Sequence, residues 1–338
     1  MTQTLTSPDQ IARALWYVDR ELVALREEQL PKLADGEAVE VETLYSAISR
    51  GTERLIFTGR VPETEWDRMR APLQQGAFPF PVKYGYCAVG RVVNGPQSLN
   101  GKLVFCLHPH QDRFVAVANN VVLIPDGVPA KRAVLAANVE TALNAVWDAR
   151  VLPGDRVIVI GAGIVGLLIA AVACRILGTD VSVVDRSDAT RNEAAALGVP
   201  FTMPVDADDL AAADVVFHTT ATGGGLQSAI RAAGMEATVC EVSWYGDREI
   251  NVGLGGAFHS KRLKLVSSQV GQIAEPQRTR WDYRRRLGKA LEILAESAFD
   301  ALVEDEVRFD DLPERMADIL SDTATGLPPV IAYERSRS

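Results

Sequence analysis

The chain has 338 residues, enough for two domains, and its 47% hydrophobic content is that of a globular protein. Its 44 acidic and 35 basic residues leave a net charge of −9, which excludes a general nucleic-acid role because phosphate binding needs a basic face. Four scattered cysteines, Cys87, Cys106, Cys174 and Cys240, form no C-x-x-C pair, which excludes a disulfide framework and a four-cysteine structural zinc.

The opening residues Met1–Leu5 lack a basic stretch followed by an apolar core, so no signal peptide is expected. The longest apolar run, 164–173, is too short to span a bilayer. A cytoplasmic protein with a small-molecule substrate, and without nucleic-acid or membrane partners, is the expectation.

Residues 11–60 read as strands with turns, the clearest being 14–18 and 38–45, with β-branched and aromatic content. A proline-interrupted connection covers 60–81. Short strands at 89–93, 102–107 and 114–117 follow, separated by Asn94-Gly95-Pro96 and Asn100-Gly101; this spacing predicts a small antiparallel barrel. From Pro129 the pattern turns helical, over 133–137 and 139–149.

Asp155–Ile160 is a short β-branched run that reads as a buried parallel strand. Gly161-Ala162-Gly163-Ile164-Val165-Gly166 comes next, and then an Ala-rich apolar helix over 167–173. Strand, G-x-G-x-x-G and helix in this order form a dinucleotide-binding fingerprint. Gly161 allows the tight turn, Gly163 admits the pyrophosphate, and Gly166 lets helix and strand pack closely. A second strand, 181–184, ends in Asp185, at the spacing where an acidic side chain accepts hydrogen bonds from the adenosine ribose and repels a 2′-phosphate. NAD is therefore expected over NADP, although Arg186 directly follows and is able to meet a phosphate. The alternation continues with a helix at 188–197, a strand at 214–218, a helix at 225–233 and strands at 237–242 and 263–267. A basic amphipathic helix at 278–296, a strand at 303–307, a helix at 312–320 and a strand at 330–333 complete the chain. The arginines at 278–286 read as the wet face of their helix.

This order resembles the medium-chain dehydrogenase/reductase superfamily. Ser46–Glu53 matches a family loop ending in Gly-Thr-Asp, Gly85–Gly90 matches its Gly-His-Glu segment, and Glu140-Thr141-Ala142-Leu143 matches the helix before the dinucleotide strand. The resemblance implies an α/β fold in which a Rossmann doubly wound parallel sheet, 146–271, is inserted into a GroES-like β-barrel substrate domain, 1–145 and 272–338. It also implies a homodimer, an active site in the cleft between the domains, and Thr141, Ile164 and Val165 among the cofactor-binding residues.

The zinc ligands of the family are replaced. The first falls on Arg50, or Ser49 if the loop slips by one; the second on Tyr86, with Cys87 in place of the adjacent Glu; the third on Ala137. A catalytic zinc needs three protein ligands, so a zinc-free site is expected, with metal-ligating residues none. His108 and His110 share one side of an extended strand, but Pro109 disturbs it, and a polar strand end is the simpler reading.

The resemblance places Thr52 on the hydroxyl that bonds the substrate oxygen and Leu55 on the histidine of the family's proton relay. Tyr86 is the candidate proton donor or acceptor, with the alternative that it merely fills the space of the metal. Lys83 and Arg50 are the candidates to lower its pKa or hold an oxyanion. Glu53 reads as structural, bonding backbone or Arg50, and Cys87 as packing. Phe78, Phe80, Trp66, Trp147 and Trp244 read as core or as an apolar pocket. Ser49–Leu55 with Thr58–Pro62 looks like the zinc-lacking branch that includes bacteriochlorophyllide dehydrogenases, which implies hydride transfer between nicotinamide and a secondary alcohol or ketone on a bulky substrate. A quinone- or enoyl-type reductase and a non-catalytic NAD-binding protein are the competing readings.

Overall fold

The computed structural model describes residues 11–32, 37–204 and 212–334. The expectation for Met1–Leu5 lies outside them. The chain divides into two compact units: the first takes 1–135, 303–324 and 328–338, the second 136–302 and 325–327.

In the first unit, β1 (Ile11–Asp19), β2 (Leu22–Gln29) and β3 (Ala38–Ala47) come first. The chain then departs from the expected run of strands, because Arg50–Phe57 is a helix, α1. Glu53, Leu55, Ile56 and Phe57 all turn inward from it. Burying that apolar face outweighs the β-preference of single residues. The Glu53 carboxylate also reaches back to accept the Ser49 N–H at 2.7 Å, satisfying a donor at the helix start.

Short strands β4 (Gln75–Gly76) and β5 (Val82–Lys83) lead to β6 (Ala88–Asn94), β7 (Leu103–Cys106), β8 (Arg113–Val117) and β9 (Val121–Leu123). The turn α2 (Ala130–Ala133) closes this part. One sheet runs β2-β1-β5-β4. In the other, β3 pairs antiparallel with both β6 and β8. Val39, Val41, Val92, Val104 and Phe114 fill the core between the strands, each full burial contributing ~1.5–3 kcal/mol.

The second unit opens with α3 (Ala136–Ala149), β10 (Arg156–Ile160), α4 (Ile164–Cys174), β11 (Asp180–Val184), α5 (Arg191–Ala196) and β12 (Phe201–Thr202). It continues with β13 (Ala213–His218), α6 (Gly223–Ala232), β14 (Ala233–Glu241), α7 (Ala257–Ser260), β15 (Lys264–Ser267) and α8 (Tyr283–Ile293). The sheet is parallel in the order β12-β11-β10-β13-β14-β15. Its strand order reverses between β10 and β13, which is where open α/β sheets bind ligands.

The chain returns to the first unit through β16 (Glu306–Arg308), α9 (Leu312–Ile319) and β17 (Val330–Ala332), the last antiparallel to β3. The units divide at 135/136 and 302/303, whereas the sequence places the boundaries at 145/146 and 271/272. The reason is packing: α3 lies against both α4 and α8, so the helix before the fingerprint and the helix after the sheet belong with the parallel sheet. The buried Arg286 ties them together. Its guanidinium bonds Glu140 Oε1 (2.9 Å), Asn144 Oδ1 (2.6 Å) and the Gln272 carbonyl (3.2 Å). One arginine of the expected wet face is therefore a core residue.

Candidate active site

The glycine turn is built as its sequence implies. Gly161 has φ +112°, a backbone that L side chains rarely adopt, and a Cβ there would meet Thr219 Oγ1 at 2.5 Å. Gly163 stands exposed before the first turn of α4, with nothing within 4 Å of the space a Cβ would take. At Gly166 a Cβ would fall 1.9 Å from the Gly161 carbonyl oxygen, so only glycine lets α4 pack this closely on β10. Ile164 and Val165 form the first turn, half-buried, where backbone N–H groups have no partner within the helix and suit an anion.

Asp185 ends β11. Its Oδ2 accepts the Ala162 N–H at 2.7 Å and its Oδ1 the Ser187 N–H at 3.0 Å, which ties the carboxylate to the glycine turn. Arg186 beside it is exposed. These groups fit a nicotinamide dinucleotide: an open cradle at Gly163, a helix N-terminus for the pyrophosphate and a fixed carboxylate for a ribose. Thr141 lies in α3 and gives its hydroxyl to the Ala137 carbonyl at 3.0 Å.

In the first unit, Thr52, Ser49 and Tyr86 come together. Gly85, at φ +124°, carries the chain so close to His110 that a Cβ would touch its ring at 3.0 Å, and Tyr86 follows it. The Tyr86 hydroxyl reaches Thr52 Oγ1 at a long 3.5 Å. Burial pushes the Tyr86 pKa well above the ordinary phenol value; its hydrogen bonds with Ser49 and Thr52 only partly offset this.

Lys83 and Arg50 do not join this group. Lys83 Nζ donates to Glu28 Oε2 (2.6 Å) and Gln111 Oε1 (2.9 Å), because it projects from β5 beside Trp16. Arg50 Nε donates to the Ile319 carbonyl at 3.0 Å, and burial beside Arg54 lowers its pKa to about 10. Neither is placed to lower the tyrosine pKa. Glu53 bonds Ser49 N–H, Tyr17 and His110.

His108 and His110 are both buried but face different partners. The His108 ring stacks on Phe114 with centroids 3.9 Å apart, while His110 lies between Ser46 and Glu53. Among the described residues no three His, Cys, Asp or Glu side chains are grouped to hold a metal ion. The aromatic residues form no single lining: Phe78 packs on Tyr84, the Trp66 indole bonds the Val61 carbonyl, and Trp147 lies against Trp281.

Sequence reasoning passed over His218 and Glu241, which sit in register at the carboxyl ends of β13 and β14 and bond at 2.7 Å. The signal was available: two polar residues ending adjacent apolar strands.

No protein-family profile matches the chain. D-guloside 3-dehydrogenase of Escherichia coli K12 is 25% identical over 349 residues, covering 93% of this chain and 94% of that protein. Among solved structures, an alcohol dehydrogenase of E. coli CFT073, described as short chain and complexed with NADH, superposes with a TM-score of 0.75 at 16% identity, over 96% of this chain and 99% of the other. A protein of Sinorhizobium meliloti 1021 assigned as a zinc-binding dehydrogenase and bound to NADP gives 0.74 at 16% identity, over 95% and 99%. At these identities the structures speak to fold alone. The full-length similarity to a dehydrogenase and the shared fold of these alcohol-dehydrogenase-like structures both support the resemblance to the medium-chain dehydrogenase/reductase superfamily.

Proposed function

We propose that the chain is a zinc-independent, NAD(H)-dependent oxidoreductase that transfers hydride between nicotinamide and a secondary alcohol or ketone. The parallel-sheet unit holds the cofactor and the first unit holds the substrate. The observation that carries this reading is a fixed Asp185 beside an intact glycine turn, together with hydroxyls, not metal ligands, on the zinc-site loops. The relative named for dehydrogenating a guloside supports a hydroxyl-bearing substrate.

Gly161, Gly163, Ile164, Val165 and Gly166 would hold the pyrophosphate, and Asp185 the adenosine ribose, with Arg186 outside. The nicotinamide, when bound, supplies or accepts the hydride. Zinc does not suit the residues at the ligand positions, since Arg50 or Ser49, Tyr86 and Ala137 offer no imidazole, thiolate or carboxylate. The reacting oxygen is held by hydroxyls instead. Tyr86, its pKa raised by burial, stays protonated at neutral pH and donates to a carbonyl oxygen in the reducing direction. Thr52 provides the second hydroxyl. A bulky substrate, as in the zinc-lacking branch, and assembly as a homodimer belong to the same reading.

Purified protein given NAD or NADH is screened against secondary alcohols, ketones and enones by nicotinamide absorbance, and its mass in solution is measured by sedimentation. Turnover of secondary alcohols or their ketones is expected. Turnover of enones alone would favour a double-bond reductase, and tight NADH binding without any turnover would favour a non-catalytic binder.

A further inference from the structure

At the carboxyl edge of the parallel sheet, a hydroxyl, an imidazole and a carboxylate are joined in line. Thr220 Oγ1 lies 2.6 Å from His218 Nε2, and His218 Nδ1 lies 2.7 Å from Glu241 Oε2. Glu241 is fixed in turn: its Oε2 accepts the Tyr245 hydroxyl at 2.9 Å and its Oε1 the Ser243 N–H at 2.8 Å. Burial alone would raise its pKa, but the bonds from His218 and Ser243 outweigh this and hold it below the usual carboxylate range. An ionised carboxylate only accepts, so His218 Nδ1 carries a proton. In the neutral ring Nε2 is then the acceptor, and the Thr220 hydroxyl donates to it. Thr222 Oγ1, which accepts the Gly225 N–H at 3.1 Å, gives its own proton to Thr220 at 2.9 Å. With the ring neutral, Thr220 Oγ1 donates once and accepts once, and one of its lone pairs remains for a donor from outside.

The local backbone is shaped around this hydroxyl. Ala221 takes φ +50°, an uncommon conformation for a residue with a side chain. A Cβ on Gly225 would fall 2.2 Å from Thr220 Oγ1 and 2.6 Å from His218 Nε2. Neighbouring Thr219 bonds the Gly161 carbonyl at 3.1 Å, so the hydroxyl sits beside the glycine turn. It lies on the β13 side of the point where strand order reverses. Asp185 stands on the β11 side, two strands away, a span of roughly 10 Å.

We propose that Thr220 is a ligand-gripping hydroxyl, oriented by His218 and Glu241, that accepts a hydrogen bond from the second ribose of a bound dinucleotide. The inference rests on the dinucleotide reading and extends it to the half of the ligand that Asp185 does not reach. A ribose offers the hydroxyl donor that the lone pair of Thr220 requires. His218 and Glu241 are positioning residues that act through Thr220.

Affinities for AMP, ADP-ribose and NADH, measured by calorimetry on the full chain, test it. AMP has only the ribose that Asp185 would hold; ADP-ribose adds the second. Thr220→Val is expected to weaken ADP-ribose and NADH about tenfold, to leave AMP unchanged, and to be rescued by Thr220→Ser. Glu241→Gln should weaken the same two ligands, and the double variant should lose no more than Thr220→Val alone. Equal loss of AMP, unchanged affinity for ADP-ribose in Thr220→Val, or additive losses would overturn the proposal while leaving dinucleotide binding intact. Failure of the unmodified protein to bind AMP or NADH would remove the cofactor reading itself, and this inference with it.

Discussion

Glu53 and His110 face each other at 3.1 Å, with both side chains sealed from solvent. The Glu53 carboxylate also accepts the Tyr17 hydroxyl at 2.6 Å, and the far side of the His110 ring meets Ser46 Oγ at 2.8 Å. Ser46 in turn lies 2.9 Å from the Tyr333 hydroxyl, so the network ties β1, α1 and β3 to the residue that follows β17. The same carboxylate caps α1, the helix that carries Thr52.

Replacing Glu53 should therefore cost stability in a pH-dependent way. Burial alone would raise the Glu53 pKa, but His110, Tyr17 and the Ser49 N–H outweigh it and hold the group below its ordinary value. A folded pKa below the unfolded one means the stabilisation is fully present above ~4.3 and is lost as pH falls through the lower folded value. Glu53→Gln sets an amide against two donors and should cost about 3 kcal/mol at neutral pH. Urea midpoints across pH should show the difference shrinking below ~4. A gap of constant size would show that packing, not charge, is what Glu53 provides.

His108 contributes in a different window. Burial against Phe114 pushes its pKa down to about 3, so the folded protein holds a neutral ring while the unfolded chain takes up a proton near ~6.5. Stability is unaffected above that value and falls as pH drops from ~6.5 toward 3, by about 1.4 kcal/mol per pH unit. His108→Phe should flatten this slope between pH 4 and 6, roughly one proton's worth. An unchanged slope would mean that another group sets it.

Much of the strand and helix order in the second unit was legible because the central strands β10, β11 and β13 are short, mostly apolar runs, and Gly161, Gly178 and Gly223 mark turns or element starts. The two-residue β12 and the single-turn α7 carry no such signal. Helix α1 was not, because its inward set includes a buried carboxylate whose partners lie far away in sequence, at Tyr17 and His110. Lys83 and Arg50 stand next to Tyr86 or Thr52 in the alignment of motifs, yet they point elsewhere. Strand alternation and the reach of a guanidinium decide direction, and sequence proximity does not. The Thr220–His218–Glu241 line is spread over two strands and a turn, which no linear motif records.

Asp185 should set cofactor choice. Because its carboxylate is already pinned by two backbone N–H groups, it cannot swing away from a 2′-phosphate at small cost. The unmodified protein is expected to bind NADH at least tenfold tighter than NADPH, and Asp185→Ala to narrow that ratio. Fluorescence titration of both nucleotides reads it directly. Tighter NADPH binding by the unmodified protein would assign the choice to Arg186.

Elemental analysis of protein purified without chelators should give well under one zinc per chain. The expectation follows from Arg50 or Ser49, Tyr86 and Ala137 at the ligand positions. Near-stoichiometric zinc, with turnover lost to a chelator and restored by metal, would overturn it.

Tyr86 is the most exacting test of the mechanism. Its hydroxyl lies 3.5 Å from that of Thr52 on α1, and the two residues belong to the segments that match the family's zinc-site motifs. A phenol with a raised pKa is a donor at neutral pH and a poor base, so its effect should fall on carbonyl reduction more than on alcohol oxidation. Removing one donor to a developing oxyanion commonly costs ~10²–10³ in turnover. Tyr86→Phe should lose about that factor in kcat, with NADH affinity nearly unchanged, because the residue lies outside the unit that carries the glycine turn. Thr52→Val should lose less, since it leaves the proton donor in place. If Tyr86→Phe turns over its substrate at nearly the full rate, the tyrosine only fills the space of the absent ligand. The oxygen would then be held by Thr52 and Ser49 alone.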